Sequence, residues 1–156
     1  MNIKDAMSCF TTGVTVVTTH AQGQDWGMTC NSFNTVSLEP AMVLWSVRRH
    51  SFSHEAFVSS GHYLVHVLAS HQEDLALRFA KGTHQERFAD LKLERTQANL
   101  PRIPDVLAWF ACRTVRVVEA GDHDVLIGEV IDFASQAGHG LAYAQRRFGV
   151  MAPFDA

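Results

Sequence analysis

The chain has 156 residues with a formal net charge of -3 at pH 7, and 47% of them are hydrophobic while 19% are charged. This length suits one domain, so residues 1–156 are expected to fold as one unit. The slight negative charge gives no basic field for nucleic acid, and no apolar run approaches the roughly 20 residues of a membrane helix. Neither nucleic acid nor a membrane is therefore an expected partner.

The cysteines and the N-terminus indicate a cellular compartment. Cys9, Cys30 and Cys112 form an odd set without metal-binding or redox spacing, which predicts free thiols. The first residues lack the apolar centre and the small-residue cleavage site of a signal peptide. Both features favour a cytoplasmic protein.

The predicted elements, taken in chain order, are many strands and few helices. Residues 2–10 predict a short helix. Runs of β-branched and aromatic residues between turn signals predict strands over residues 13–19, 26–33, 42–48, 63–69, 110–119, 125–133 and 141–148. Between them, Ser51 or Ser53 is expected to cap a helix that ends at Gly61. Residues 70–73 have a capping-box pattern and are expected to open a helix that reaches Gly82.

The order of these elements decides the expected fold class. A doubly wound parallel sheet would alternate strands with helices regularly, and this chain does not. An antiparallel barrel fits better, because closure removes the exposed edges of a sheet. We therefore expect a mainly β fold in which a barrel is flanked by a few helices.

The predicted hairpin corner at residues 120–123 carries a histidine that a turn does not require. Gly121 supplies free φ and Asp122 can bond its own backbone, and both are ordinary turn residues. His123 has no such structural reason. An imidazole on a rigid corner can hydrogen-bond a carboxamide or accept a proton near neutral pH, which makes His123 a candidate functional residue.

A second candidate region lies at the end of the strand predicted over residues 26–33. Thr29, Asn31 and Ser32 are small polar residues among apolar neighbours, a mixture that suits a ligand pocket. The alternative is that they merely satisfy the backbone of a turn. Cys30 lies among them without an identifiable base, so a nucleophilic role is not predicted. A small side chain against which a planar ring can lie is the preferred interpretation.

The segment over residues 46–53 is the best phosphate site that the sequence offers. Neither common glycine-rich phosphate loop is present in the chain. This segment runs from the end of a strand into a predicted helix start, and Arg48 can make a forked contact to phosphate. Ser51 and Ser53 add hydroxyl donors. An ordinary serine cap beside solvated arginines explains the same pattern equally well.

The histidines do not predict a metal site. His50 and His54, and again His62 and His66, are four residues apart, a spacing that pairs ligands only on a helix. Residues 63–69 are predicted as a strand, and neither pair has a third ligand. No bound metal is expected.

Taken together, stretches along nearly the whole chain resemble the short-chain flavin reductase family. The matching stretches are residues 10–19, 27–33, 36–40, 69–72, 78–80, 120–123, 127–130, 141–143 and 147–148. The resemblance implies an antiparallel split β-barrel that binds FMN or FAD. It also implies a homodimer with flavin sites near the subunit interface.

The resemblance assigns site residues as well. The implied flavin contacts are Trp26, Thr29, Cys30, Asn31, Ser32, Ser46, Val47, Arg48, Ser51, Ser53, Phe79 and Ala80. The nicotinamide nucleotide, NADH or NADPH, is expected beside His123, Tyr143 and either Arg146 or Arg147, with His123 as the catalytic residue. The doubled arginine at residues 48–49 leaves open which of the two side chains meets phosphate.

The function implied is an NAD(P)H:flavin oxidoreductase. It would pass hydride from the reduced nicotinamide to FMN or FAD and supply reduced flavin to a partner monooxygenase. The cofactors carry that chemistry, so the absence of a recognisable general base agrees with it. The alternatives are a flavin-binding electron carrier and an oxidase that retains its flavin.

Overall fold

A computed structural model describes residues 2–151, which contain four helices and twelve strands. The helices are α1 (Ile3–Ser8), α2 (His54–Ser60), α3 (Glu73–Lys81) and α4 (His84–Phe88). The strands are β1 (Thr12–Gly13), β2 (Thr15–Ala21), β3 (Gln24–Cys30), β4 (Asn34–Leu38), β5 (Ala41–Arg48), β6 (His62–Val67), β7 (Glu94–Arg95), β8 (Pro101–Arg102), β9 (Ala108–Ala120), β10 (His123–Ser135), β11 (Leu141–Ala144) and β12 (Arg147–Val150). Over that range no helix has the length and apolarity that a membrane crossing needs.

Seven strands form one antiparallel sheet in the order β3-β2-β6-β9-β10-β5-β4. Its two edge strands, β3 and β4, are consecutive in the chain and are joined only by residues 31–33. That link spans at most about 14 Å, whereas the edges of a flat sheet of this width would lie about 29 Å apart. The sheet must therefore curl until its edges approach. No ladder joins β3 to β4 within the described residues, so the barrel stays open along this seam.

Two smaller sheets accompany the barrel. Strands β1, β11 and β12 form an antiparallel sheet of three, and β7 pairs with β8. A single bridge between Ala69 and Gly140 joins the end of the β6 segment to the segment before β11. The described strands pair antiparallel throughout and the helices are short. The mainly β, antiparallel fold expected from the sequence is thus confirmed.

The interior of the barrel is built by alternating residues of its strands. On β5, the side chains of Val43, Trp45 and Val47 are buried while their neighbours are less so. Trp45 meets Phe57 of α2 edge-to-face, with ring centroids 4.8 Å apart, and Tyr63 of β6 at 5.8 Å. Such aromatic pairs bury large apolar areas, and they make this interior a packed core rather than a ligand channel.

A second core lies between the barrel and α3. Phe79 of α3 is fully buried and meets the ring of Phe88 on α4 edge-to-face at 5.1 Å. Gly27 on β3 leaves room for this ring, because a Cβ there would lie 2.5 Å from Phe79 Cε1. The close approach of β3 to Phe79 fixes the α3–α4 pair against the edge of the barrel.

The predicted helices are confirmed, but the capping box predicted at residues 70–73 is wrong. The residue before α3 is Gln72, and its side chain makes no capping bond. Its Oε1 accepts instead from the backbone N–H of Ala69 at 2.8 Å, and Ser70 N donates to His139 O. Ser70 lies two residues before the N-cap of α3, and its backbone N–H takes part in the contact between two segments.

Two strand predictions need correction. The strand predicted over residues 26–33 ends at Cys30, and β4 was not predicted at all. The strand predicted over residues 141–148 is a hairpin made of β11 and β12. Gln145 and Arg146 both adopt positive φ, 49° and 64°, which closes a two-residue turn. Neither residue is a glycine or an asparagine, the residues that usually signal such a turn, so the turn could not be predicted from the sequence.

Candidate functional site

A cavity of about 610 Å³ opens at one end of the barrel, and we call it the rim cavity. It lies among the end of β3, the turn between β5 and α2, the α3–α4 pair and the β9–β10 corner. Ten of the residues expected from the sequence line it: Thr29, Cys30, Asn31, Ser32, Ser46, Arg48, Ser51, Phe79, Ala80 and His123. Met28, His50, Phe52 and Arg87 complete the lining. The fold thus brings together segments that are up to about a hundred residues apart.

The register between β5 and β10 brings Arg48 and His123 together. The two residues are direct partners in the antiparallel ladder, so their side chains share one face of the sheet. His123 also pairs with Ala120 across the corner, where Gly121 adopts a φ of 64°. A glycine at the first central position is what a tight two-residue hairpin turn of this kind requires. The corner therefore holds the imidazole beside the arginine.

Asp122 orients the ring of His123. His123 Nδ1 lies 2.7 Å from Asp122 Oδ1, and this hydrogen bond lowers the pKa of the Asp122 carboxyl. Nε2 has no partner among residues 2–151, and the side chain is 36% exposed. The free nitrogen of an oriented imidazole is suited to hydrogen-bond a ligand.

The two adjacent arginines, Arg48 and Arg49, make different contacts in the structure. Arg49 Nη1 donates to Glu119 Oε1 at 2.9 Å, and its Nε lies 3.4 Å from Asp124 Oδ1. Arg48 lines the rim cavity and makes no ion pair within the described part of the chain. Arg48 is therefore the arginine available to a ligand, while Arg49 ties the turn to the β9–β10 hairpin.

The buried carboxylate of Asp124 also connects the turn after β5 to the β9–β10 hairpin. Asp124 Oδ2 lies 2.7 Å from His54 Nε2 at the start of α2, and this hydrogen bond is the main cause that lowers the pKa of Asp124. Asp124 comes directly after His123, and His54 follows the turn at residues 49–53. The contact links the turn to the corner, so a buried hydrogen bond joins two parts of the wall of the rim cavity.

The three small polar residues at the end of β3 and just after it differ in what they contact. Thr29 Oγ1 donates to Ala76 O at 2.6 Å, and Ser32 Oγ accepts from the N–H of Ser46 at 2.9 Å. Both hydroxyls therefore serve the fold as well as line the cavity. The amide of Asn31 has no hydrogen-bond partner in residues 2–151, so it alone of the three offers all of its groups to a ligand.

Cys30 is not an activated thiol. Burial raises its pKa, and its Sγ lies 3.1 Å from Thr15 Oγ1. A neutral thiol is a weak nucleophile, and no base lies beside it among the described residues. Its position in the lining agrees with the expectation of a small side chain at a ligand surface.

Arg87 is a lining residue that the sequence did not indicate. It lies in α4, which a capping box between Thr83 and Glu86 begins. That Thr-x-x-Glu pattern was present in the sequence and could have revealed the helix. Nothing local indicated that Arg87 would be buried, with its guanidinium 4.8 Å from the centroid of the Phe52 ring. Burial lowers the pKa of this group.

Three other expected flavin contacts lie outside the lining. The Val47 side chain is buried in the barrel core, so only its backbone can meet a ligand. Ser53 is buried at the N-cap of α2, where its Oγ lies 3.1 Å from Ser51 Oγ and makes no capping bond. Trp26 packs against His84, with ring centroids 4.6 Å apart. These three residues support the cavity from behind its surface.

A cavity of about 300 Å³, the adjoining cavity, shares Thr29, Cys30, Asn31 and Ala80 with the rim cavity. Tyr143 and Arg146 line it, and Arg146 Nη2 donates to Asp5 Oδ1 at 2.6 Å. Arg147 begins β12, is exposed and is not among the lining residues. Of the two arginines left open by the sequence, Arg146 is therefore the one at the cavity.

No group of three or more His, Cys, Asp or Glu side chains within the described range could hold a metal ion. His62 and His66 lie on β6. His66 is fully buried, with Nδ1 2.9 Å from Val16 O and Nε2 accepting from Ile103 N at 3.1 Å. Burial lowers its pKa to about 4. His66 is thus a neutral core residue.

Comparison with known proteins identifies the class. The family profile described as flavin reductase like domain matches residues 7–152. FMN reductase (NADH) SmoA of Agrobacterium fabrum is 40% identical over 148 residues, which are 95% of this chain and 84% of that protein. The reductase component of a flavin-dependent trigonelline monooxygenase from Acinetobacter baylyi is 42% identical over 90% of this chain, although the match covers only 46% of that protein.

A solved structure has the same fold. The NADH:FAD oxidoreductase SgcE6 of Streptomyces globisporus, in complex with NAD and FAD fragments, matches with a TM-score of 0.92 at 32% identity. The match covers 99% of this chain and 93% of that one. The chain therefore belongs to the flavin reductase like domain family, which confirms the resemblance and the split-barrel fold. It is a flavin reductase, and these relatives favour neither the electron carrier nor the oxidase.

The chemistry of the rim cavity fits a flavin nucleotide. Its lining includes two guanidinium groups, several hydroxyls and a free amide, but no Asp or Glu. Phe79 and Met28 add apolar surface. Convergent donors on a partly apolar wall suit a ring that carries an anionic side chain.

Proposed function

We propose that the protein transfers hydride from NADH or NADPH to FMN or FAD bound in the rim cavity, and supplies the reduced flavin to a partner monooxygenase. One observation carries this proposal. The ladder between β5 and β10 places His123 opposite Arg48 at a cavity whose lining has no carboxylate. A phosphate-binding cation and an orienting imidazole therefore meet at one site.

The flavin would be held from three directions. Arg48, with the hydroxyls of Ser46 and Ser51, binds the phosphate. Asn31 offers its amide to the polar edge of the ring or to the ribityl chain. Phe79 provides the apolar wall that excludes water. In this arrangement, different elements around the cavity bind different parts of the flavin.

His123 serves as a positioning group for the nicotinamide. When bound, the flavin and the nicotinamide supply the hydride chemistry themselves, and the protein fixes their distance and orientation. The free Nε2 of His123 can donate to or accept from the carboxamide, while Asp122 fixes the ring. Tyr143 in the adjoining cavity receives the rest of the nucleotide, while Arg146, which is paired with Asp5, shapes the wall of that cavity.

The assembly that we propose is a homodimer in the cytoplasm. Leu38, Ile131 and Phe133 are 90%, 52% and 66% exposed, which is apolar surface that a second copy can cover. Cys9, Cys30 and Cys112 are free thiols, as expected in a reducing compartment. Residues 1–156 form one flavin reductase domain in this proposal.

The decisive experiment mixes purified protein, NADH and free FMN without oxygen and follows the loss of nicotinamide absorbance. Titration of the protein into FMN should also quench flavin fluorescence as the ring enters the cavity. Light scattering tests the dimer separately. A protein that binds flavin and oxidises neither NADH nor NADPH would overturn the reductase in favour of the carrier.

A further inference from the structure

The corner that carries His123 lies at the end of an exposed ribbon. β6 pairs with β9 only as far as Arg113, so the rest of β9, up to Ala120, has β10 as its only strand partner within the described residues. Residues 115–122 are all exposed, and the one hydrogen bond of the His123 side chain in the described part of the chain is to the exposed Asp122. Hairpin tips of this kind are ordinarily among the more mobile parts of a fold. The position of His123 therefore depends on how the corner is fastened.

A buried carboxylate fastens the strand immediately after His123. Asp124 is 7% exposed, and because side chains alternate along a strand it points to the opposite side of β10 from His123. Its Oδ2 lies 2.7 Å from His54 Nε2 and its Oδ1 lies 3.4 Å from Arg49 Nε. In addition, Arg49 N donates to Asp122 O at 3.0 Å. The turn after β5 and the start of α2 thus hold the chain on both sides of His123.

The two ends of this contact are not equally fixed. On one side, Val47 of β5 and Phe57 of α2 are fully buried in the barrel core, and they bracket the turn that carries Arg49. On the other side, no residue from 113 to 123 is buried. Losing the contacts of Asp124 should therefore release the corner and leave the turn in place.

We propose that Asp124 is a positioning residue for hydride transfer, which through its contacts with His54 and Arg49 holds His123 where it meets the nicotinamide. This inference rests on the proposed function, because it concerns the histidine that orients the nicotinamide there. A carboxylate suits the task, since it accepts from both side chains at once and its hydrogen bonds to charged groups are strong. The hydrogen bond to His54 is the main cause that holds the pKa of Asp124 below its ordinary value, so the carboxylate is ionised at neutral pH.

The test measures hydride transfer and flavin binding separately. In Asp124→Asn, the amide oxygen can still accept from His54, but the amide N–H group would face Arg49, which also donates, so one of the two contacts is lost. Single-turnover reduction of saturating FMN by NADH, without oxygen, should slow about 10-fold, which is less than the roughly 100-fold that a misplacement of about 1 Å can cost. The dissociation constant of FMN should change less than about threefold, because the turn stays in place.

A double-mutant cycle tests whether Asp124 acts through His123. In the His123→Ala background, Asp124→Asn should leave the rate within about twofold, because the group that Asp124 positions is gone. Equal slowing in both backgrounds would overturn the proposal, since Asp124 would then affect the rate by another route. A loss of FMN affinity as large as the loss of rate would also overturn it, since Asp124 would then support the flavin site.

Variants of His54 remove the same contact from the side of α2. His54 does not line the rim cavity, so its replacement removes no ligand contact, and these variants carry the test should Asp124→Asn fail to fold. His54→Gln, which keeps an N–H donor, should retain more of the rate than His54→Ala. Wild-type rates in both Asp124→Asn and His54→Ala would overturn the proposal.

His20→Ala is the matched control. His20 Nδ1 lies 2.7 Å from Asp25 Oδ1, so it forms a histidine–aspartate contact of the same length, but in the β2–β3 hairpin. Neither of these residues lines the rim cavity. The control should leave the rate within about twofold of the wild type, because a partly exposed pair contributes little. Slowing as large as that of His54→Ala would overturn the proposal, because it would show a general effect of losing such a pair.

Amide hydrogen exchange measures the release of the corner without the reaction. In Asp124→Asn, the amides of residues 119–123 should exchange at least about 10-fold faster, while those of α2 exchange as in the wild type. Wild-type protein that binds FMN and oxidises neither NADH nor NADPH would refute the proposed function itself. An active wild type whose corner exchanges at the same rate with and without Asp124 would refute only the role of Asp124.

Discussion

Two cavities on the same barrel differ in how their arginines are neutralised. The outer cavity, of about 790 Å³, lies on the face of β9 and β10 that turns away from the core, and Arg95 and Arg102 line it. Arg95 makes two hydrogen bonds to the carboxylate of Asp25, at 2.7 and 2.6 Å, and Arg102 forms an ion pair with Glu94. The smaller rim cavity holds two arginines without a carboxylate partner in the described residues.

We infer from this difference that the pairing of charges, rather than volume, distinguishes the cavity proposed to bind an anion. A guanidinium that already has a carboxylate gains little from a second anion, because the first one screens its charge. An unpaired guanidinium gains a charge-assisted hydrogen bond. The smaller cavity is therefore the one that suits a phosphorylated cofactor, although a ranking by size would favour the outer cavity.

The largest expected effect comes from His123, which lines the rim cavity and not the outer cavity. His123→Ala should slow hydride transfer about 100-fold by misplacing the nicotinamide, while flavin affinity stays nearly unchanged. His123→Asn, which keeps a hydrogen-bonding group, should retain more activity. Single-turnover flavin reduction in an anaerobic stopped-flow instrument, with flavin saturating, measures both. Wild-type rates in the alanine variant would reduce His123 to a turn residue.

The next effect tests the separation of the two adjacent arginines. Arg48→Ala should weaken FMN binding about 10- to 100-fold and riboflavin binding much less, because only FMN loses a charged contact. Arg49→Ala is the control, since its guanidinium already contacts Glu119 and Asp124. Fluorescence titration of both flavins gives the comparison. Selectivity that followed Arg49 instead would mean that the turn presents the other arginine to the phosphate.

A smaller effect should follow from filling the space behind the rim cavity. In Gly27→Ala, the new Cβ would lie 2.5 Å from Cε1 of the buried Phe79 ring, which must shift. Overpacking of this kind typically costs about 1–3 kcal/mol in the free energy of unfolding. Gly13→Ala is the matched control in a strand, because a Cβ there meets nothing within 4 Å. Urea denaturation measures the free energy of unfolding of both variants. Equal values would contradict the close approach of β3 to α3.

The sequence predicted those parts of this site that depend on local pattern. The corner with Gly121, the polar residues around the end of β3 and the serines of the turn could be identified, because turns and strand ends have sequence signals within a few residues. The division between Arg48 and Arg49 could not, because it depends on the register of β5 against β10. Gln145 and Arg146 formed a turn without the usual turn residues, since the pairing of β11 with β12 outweighed their local preference.

The burial of Arg87 could not be predicted from the sequence either. Its helix has a local signal in Thr83 and Glu86, but a short helix rich in charge gives no indication of which side chain faces the protein. The burial of Arg87 follows from the approach of α4 to Gly27 on β3, and that approach depends on the packing of Phe79 against Phe88. Contacts between distant segments thus decide which charge becomes part of the site.

The smallest effect is expected at the outer cavity, in a variant that makes its charges resemble those of the rim cavity. Asp25→Asn leaves Arg95 without its carboxylate, while flavin affinity and the rate of NADH oxidation should stay within about twofold of the wild type, since a surface pair contributes only about 0–1 kcal/mol. A large loss of flavin affinity would contradict the assignment of the flavin to the rim cavity.

The stability of that variant should depend on pH in a defined direction. Burial alone would raise the pKa of Asp25, but hydrogen bonds from Arg95 and His20 hold it below its ordinary value. A carboxyl whose pKa is lower in the folded state stabilises the fold above its unfolded pKa, about 3.9, and this contribution is lost as the pH falls through the folded value. The difference in unfolding free energy between wild type and Asp25→Asn should therefore be present at neutral pH and shrink below about pH 4. Urea denaturation at both pH values measures it, and a difference that grew in acid would show that Asp25 is not held by this pair.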